Sequence, residues 1–263
     1  RKLPNHKEYM EQKYGKDVAL AIKFLGTKRL PNAYALKAKA EYFLNKIPLV
    51  PKYLPDIFLY YASKLFLQHL PASLLKFRDD YKYYLILVTA DEAIDESRQY
   101  LANDWGKMAG VGYFECNEKE QEAALLHRFS AAGAGIRYQN LNQKTTEGVL
   151  ALDIALLSSD ASWIEELPDE ITKDMDLALY YGHYLCHVFH HVYVFKKGVD
   201  IEQVKALMLQ KLKSKGAKYP AEHNVGHMYE AEQPVKHFYN SLDPTNTFNP
   251  GIGQTSKLSR PEH

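Results

Sequence analysis

Apolar residues recur at every second position in some stretches of this chain and at every third or fourth in others. Each switch between the two periods marks a new element. Asp17 to Leu25 (DVALAIKFL) alternates like a strand that Gly26 ends. Between Lys28 and Asp80 the prolines at 31, 48, 51, 55 and 71 cut the chain into pieces too short for long helices. The longest uninterrupted piece, Asp56 to Leu70, reads as one amphipathic helix, with Asp56 after Pro55 as its start signal. Tyr81 to Thr89 (YKYYLILVT) has the aromatic and aliphatic content of a buried strand. An acidic helix near Asp91 to Trp105 and a short strand around Tyr113 to Cys116 follow.

Asn117 and Glu120 stand three apart as an N-cap and capping-box pair. They predict a helix through Ala124, Leu125, Phe129 and Ala132 that ends near Gly133 and Gly135. Gly148 to Leu157 (GVLALDIALL) reads as a strand, Asp160 to Asp174 as partly helical, and Leu179 to Lys196 as one or two strands. Ile201 to Lys215 is apolar at 201, 204, 208 and 212, carries lysines in its last turn and stops at Gly216, which predicts a helix. This order predicts an α+β fold, an antiparallel sheet with helices on one face. The proline-broken segment sits inside it as an insertion, with boundaries near 28 and 81.

Composition changes this picture in one place. The 263 residues are 46% hydrophobic and 25% charged, with a net charge of +1, which argues against a general nucleic-acid binder. Between Leu36 and Arg78, however, Lys37, Lys39, Lys46, Lys52, Lys64, Lys76 and Arg78 face only Glu41 and Asp56. Aromatics such as Tyr42, Phe58, Tyr60 and Phe66 crowd the same segment. No run of about 18 apolar residues exists, so a membrane would be met from its surface. Cys116 and Cys186 form no C-x-x-C motif and read as two buried thiols in a reducing compartment. The start at Arg1 reads as that of a fragment, the trailing part of a longer protein.

Three clusters carry candidate chemistry. In YPAEHNVGH (219–227), Tyr219, Glu222, His223 and His227 surround Gly226, and a carboxylate beside an imidazole suits proton abstraction or metal ligation. Spacing alone equally allows an exposed or merely structural histidine pair. His183, His187 and His191 would share one face of a continuous strand, with His190 on the other. That face is either a three-histidine metal site or a polar surface. DPTNTFNPGIG (243–253) forbids regular structure and leaves backbone groups free for a ligand, or is a plain surface turn.

Together with QKYGKD (12–17), LHRFSAAGAGIRYQ (126–139), LALDIAL (150–156) and ALYYGHYLCHVFHHVYVFKKGVD (178–200), these pieces resemble the vanillyl-alcohol-oxidase type of flavoprotein. The resemblance is strongest to the cap and membrane-binding region of the bacterial quinone-dependent D-lactate dehydrogenases, and it covers essentially the whole chain. It implies a cap domain in residues 1–27 and 81–218, part of 81–140 belonging to the membrane-binding region. A membrane-binding insertion fills 28–80, and 219–263 returns to the FAD domain. It further implies D-lactate as substrate, FAD as cofactor, bound mainly by a domain absent from this chain, and membrane quinone as electron acceptor.

His183, His190 and Glu222 would hold a divalent metal, and His223 would take the substrate proton. Arg128, before Arg137, would bind the lactate carboxylate with its guanidinium fork. Asn249 and Gly251 would touch the flavin. The seven basic residues of 36–78 would meet an anionic lipid surface on the cytoplasmic side of the bacterial inner membrane. Two departures stand out: Tyr184 to Phe189 (YLCHVF) replaces a glycine-rich turn of related enzymes, and Asn224 replaces a glycine. His183 and His190 have opposite strand parity and converge only if a kink or bulge intervenes. The alternatives are a docking and cap module inactive without the FAD domain, and a related D-2-hydroxyacid dehydrogenase.

Overall fold

A computed structural model describes residues 13–44, 46–48, 51, 53–81, 83–161, 167–219, 231–248, 250–251 and 255–259. The chain is α+β and divides into two compact units, residues 1–149 and 150–263.

The first unit is helical. Helix α1 spans Lys16–Leu44 where a strand and short pieces were expected. Ala19 and Leu20 are neighbours and both are buried, which a helix allows and an alternating strand does not. The apparent alternation of DVALAIKFL is therefore overridden by packing. The helix changes direction at Gly26, whose φ of 69° and ψ of 165° are non-helical. Pro31 falls five residues later, near the start of the second stretch, where a missing N–H does least harm. Helix α2 (Leu54–Ser63) is shorter than the predicted 56–70, and residues 64–70 form turns and bends. Helices α3 (Ala72–Asp80) and α4 (Ala93–Asn103) follow.

Helix α5 (Glu118–Leu141) opens on the expected capping box. Asn117 Oδ1 accepts from Glu120 N at 3.1 Å, and Glu120 Oε2 accepts from Asn117 N at 2.9 Å. It does not stop at the glycines. Ser130, Ala134 and Gly135 are buried, and a Cβ on Gly133 would lie 2.9 Å from Val18 Cγ2. These small residues let α1 approach α5 closely, so they are packing positions inside a helix. Tyr14 stacks on Tyr60 at 5.5 Å and meets Tyr138 edge-on at 5.2 Å, tying α2 and α5 together.

Residues 83–90 form no regular structure, and Tyr83, Tyr84, Leu85, Ile86, Leu87 and Val88 are exposed. The predicted buried strand at 81–89 is thus replaced by an exposed apolar run. Residues 111–117 likewise form no strand.

The second unit is built on a three-stranded sheet in the order β1-β3-β2, with β1 Thr146–Ala155, β2 Met175–His183 and β3 Val188–Lys196. The division between units falls inside β1. Leu150, Leu152 and Ile154 are buried at every second position, as the sequence pattern required. Strands β2 and β3 pair antiparallel as a hairpin, joined by a 3₁₀ turn at Tyr184–Cys186. Tyr193, Val194 and Phe195 are all fully buried, so β3 is covered on both faces. Ala155 and Lys218 exchange both backbone hydrogen bonds at 2.9 Å on β1.

Helix α6 (Asp169–Thr172) is one turn within the stretch expected to be partly helical. Helix α7 (Ile201–Ser214) buries Val204, Met208 and Leu212, is capped by Asp200 and gives way to Gly216 at φ 73°. Helix α8 (Gln233–Leu242) is amphipathic yet buries none of its residues, and Phe238 and Leu242 are exposed.

Candidate functional site

The β2–β3 hairpin places the histidines. In its register His183 faces Val188, Tyr181 faces His190 and Tyr180 faces His191. Directly opposed residues of an antiparallel pair point to the same side. His183 and His190 therefore share one face, and His191 lies on the other. The turn at 184–187, with His187 in the left-handed region at φ 53°, resets the alternation and supplies the break that opposite parity demanded. A face formed by 183, 187 and 191 does not arise. His191 is a core residue whose Nδ1 lies 3.0 Å from Tyr193 Oη and whose ring meets Tyr180 edge-on. Opposite Phe189 stands Gly182, where a Cβ would come within 2.5 Å of the Phe189 ring. Glycine lets that ring cross the strand.

The rings of His183 and His190 are 5.2 Å apart and perpendicular. Two imidazoles on one tetrahedral cation, each bound through nitrogen at about 2 Å, have centres roughly 5 Å apart. The ring separation of the pair matches two positions of a divalent metal site. Among the described residues no three His, Cys, Asp or Glu side chains form such a group. Glu222 and His223 lie outside the described residues, as do Asn249 and Lys52. A partner that sequence reasoning missed is Asp153 on β1, whose Oδ1 is 2.7 Å from His190 Nδ1. The available signal was a carboxylate in the middle of the apolar strand LALDIAL.

Arg128 and Arg137 stand nine residues apart on α5, which places them on opposite faces of the helix. Arg128 is exposed, with its guanidinium 5.5 Å from the Phe129 ring. Arg137 is buried, and its guanidinium donates to Asp17 and to Asp56. Asn140 also donates to Asp56, and Lys37 Nζ lies 3.2 Å from the same carboxylate and 2.7 Å from Glu41. Burial pushes the Asp17 carboxyl above its usual value, outweighing the attraction of Arg137.

Gly251 has a φ of 84°, donates its N–H to Ser256 O at 3.0 Å and is crowded by Lys257, so a tight turn requires glycine there. Asn246 Nδ2 donates to Ser256 O and Leu258 O, and Asp243 Oδ2 accepts from Phe248 N. The loop is closed largely by its own hydrogen bonds.

Of the basic residues in 36–78, Arg78 pairs with Asp79 at 2.7 Å and Lys37 with Glu41 and Asp56. Lys46 lies over the Tyr42 ring and Lys64 over the rings of Tyr60 and Tyr61, all within 4.7 Å. Lys39 and Lys76 are exposed. After Lys64 comes Leu65-Phe66-Leu67, with Leu65 87% and Leu67 90% exposed. Among the described residues no helix is long and apolar enough to cross a membrane.

At the far end of that loop His69 is buried, its Nε2 2.9 Å from His127 Nδ1 and the two rings stacked at 5.2 Å. Burial, followed by the charges of His127, Lys16 and Lys23, lowers the His69 pKa to about 4. The unfolded chain therefore takes up this proton first as the pH falls. Stability is full above about 6.5 and is lost between 6.5 and 4, by on the order of 2 kcal/mol. Urea unfolding across that window should show the loss in the parent chain and a flatter profile in His69→Gln; parallel profiles would refute it.

The helical unit exposes apolar and basic side chains, and the sheet of the second unit holds a histidine pair. The chain belongs to the family described as D-lactate dehydrogenase, membrane binding, whose model matches residues 1–260. Among its relatives are the quinone-dependent D-lactate dehydrogenases of Haemophilus influenzae, 45% identical over 245 residues and 93% of this chain, and of Escherichia coli, 44% over 262 residues and 97%. That of Corynebacterium glutamicum is 34% identical over 262 residues. The chain spans 43% of the Haemophilus protein and 46% of the other two, less than half of each.

Proposed function

We propose that this chain is the cap and membrane-docking part of a peripheral flavoprotein that oxidises D-lactate to pyruvate and passes the electrons to quinone. Identity of 44% sustained over 262 residues with a protein named for that reaction carries the reading. Residues 28–80 are the docking segment, 81–218 with 1–27 the cap, and 219–263 the segment that returns to the FAD domain. FAD, held mainly by the part of the protein outside this chain, supplies the hydride acceptor.

The chain's own residues bind and orient the substrate. Arg128 is the carboxylate-binding candidate, because its guanidinium is exposed while Arg137 is engaged by two aspartates. His223 is the candidate base for the hydroxyl proton, with Glu222 beside it. His183, His190 and Glu222 would hold a divalent cation, which stabilises negative charge developing on the substrate oxygen. At the membrane, Lys39, Lys46, Lys52, Lys64 and Lys76 face anionic headgroups, each worth about 1 kcal/mol. The docked face is the cytoplasmic side of the bacterial inner membrane.

The test is D-lactate-driven reduction of a quinone analogue by the full-length protein, loaded with FAD and bound to vesicles. Arg128→Met should raise the KM for D-lactate about tenfold, the loss of one charge-assisted contact. Turnover of another 2-hydroxyacid in place of D-lactate would overturn the substrate assignment. D-lactate turnover by this chain with FAD alone would overturn the cap-and-docking reading.

A further inference from the structure

We infer that Asp153 is the positioning residue of the His183–His190 pair, fixing the tautomer and ring orientation with which His190 offers Nε2 to a divalent cation. The inference rests on the proposed reading that a cation is held at this pair.

A carboxylate is an expensive group in the middle of an apolar strand, and Asp153 sits between buried Leu152 and Ile154. Alternation directs it away from the face those two occupy. Its side chain is 19% exposed and that of His190 29%, so water competes only weakly for their contact. The 2.7 Å separation from Asp153 Oδ1 to His190 Nδ1 is that of a charge-assisted hydrogen bond. An ionised carboxylate only accepts, so Nδ1 must carry the hydrogen and donate it. His190 is thereby held as the Nδ1–H tautomer, and the lone pair is on Nε2.

The backbone supports the same arrangement. Strand β1 lies beside β3 in the sheet, and Leu156 N donates to His187 O at 3.0 Å. Asp153 and the hairpin are thus fixed in one hydrogen-bonded frame, with the His183 ring 5.2 Å from His190. A carboxylate that orients a ligating imidazole from behind is a recurrent device, and its removal weakens metal affinity by about 10–100-fold.

The experiment uses the full chain with ¹⁵N-labelled histidine side chains, together with cobalt(II) titration followed by its visible absorption. His190 should be the Nδ1–H tautomer in the parent chain and in Asp153→Asn, whose amide oxygen can still accept. It should become a tautomer mixture in Asp153→Ala. Cobalt should bind 10–100-fold more weakly to Asp153→Ala than to the parent, with Asp153→Asn between them. Asp153→Ser, too short to reach the ring, replaces the alanine variant if that one does not fold.

An unchanged tautomer in Asp153→Ala or Asp153→Ser overturns the positioning role. So does equal cobalt affinity in the parent and these variants, which would leave the cation reading standing. If the parent takes up no cobalt while the tautomer still depends on Asp153, the positioning role stands and the cation reading falls.

Discussion

Replacing Arg137 with methionine is expected to cost the chain about 3–5 kcal/mol of stability at pH 7, the range for removing one partner of a buried charge pair. The guanidinium donates to both Asp17 and Asp56, and all three groups are less than a tenth exposed. Without it Asp17 keeps its desolvation and loses the attraction that opposed it. Asp56 retains Lys37 and Asn140, so the larger part of the deficit falls on Asp17.

The sign of the pH dependence follows. A carboxyl whose folded pKa rises above the unfolded 3.8 binds its proton more readily in the folded chain. Acidification through that raised value therefore favours the folded state, and the variant's deficit shrinks as the pH falls toward 4. Urea unfolding of parent and variant at several pH values checks both claims. Arg128→Met, an exposed change on the opposite face of the helix, should stay within about 0.5 kcal/mol. A deficit equally small for Arg137→Met would refute the clasp.

The second large effect is expected at the lipid surface. Leu65→Asp combined with Leu67→Asp should lower partition of the chain into vesicles of phosphatidylcholine and phosphatidylglycerol by at least about a hundredfold. Each leucine side chain withdrawn from water contributes about 1.5–3 kcal/mol, and the introduced carboxylates are repelled by the anionic leaflet. Both leucines are almost fully exposed, so the folded chain itself should be unharmed. Cosedimentation at two salt concentrations separates the contributions. Loss through the leucines persists at high salt, whereas neutralising Lys46 or Lys64 costs about fivefold each and only at low salt. Unchanged partition of the double variant would remove this loop from the docking face.

Local signals were legible in the sequence and long-range ones were not. Asn117, Glu120 and Gly216 announce helix ends through bonds made within a few residues, and the structure has them. Gly133 and Gly135 carried the opposite message from the one expected, because both lie inside the helix, Gly133 against Val18 of the neighbouring helix and Gly135 buried. DVALAIKFL fits a strand as written, and only burial of adjacent Ala19 and Leu20 selects the helix. The 183–190 pair was legible through the resemblance, but its convergence depends on a hairpin turn whose register no spacing reveals. Asp153 lies 37 residues from His190, and strand pairing alone brings them together.

The run from Tyr83 to Val88 has a consequence for handling the protein. Six successive exposed apolar side chains, free of proline and charge, match the segments that seed intermolecular strand pairing. Arg78, Asp79 and Asp80 stand before the run and Asp91 and Glu92 after it, in the positions where charges restrain such association. Solubility away from a bilayer therefore rests on a few flanking charges. Purification at high salt, which screens them, works against keeping the chain dispersed, and a mild detergent that covers the run works for it.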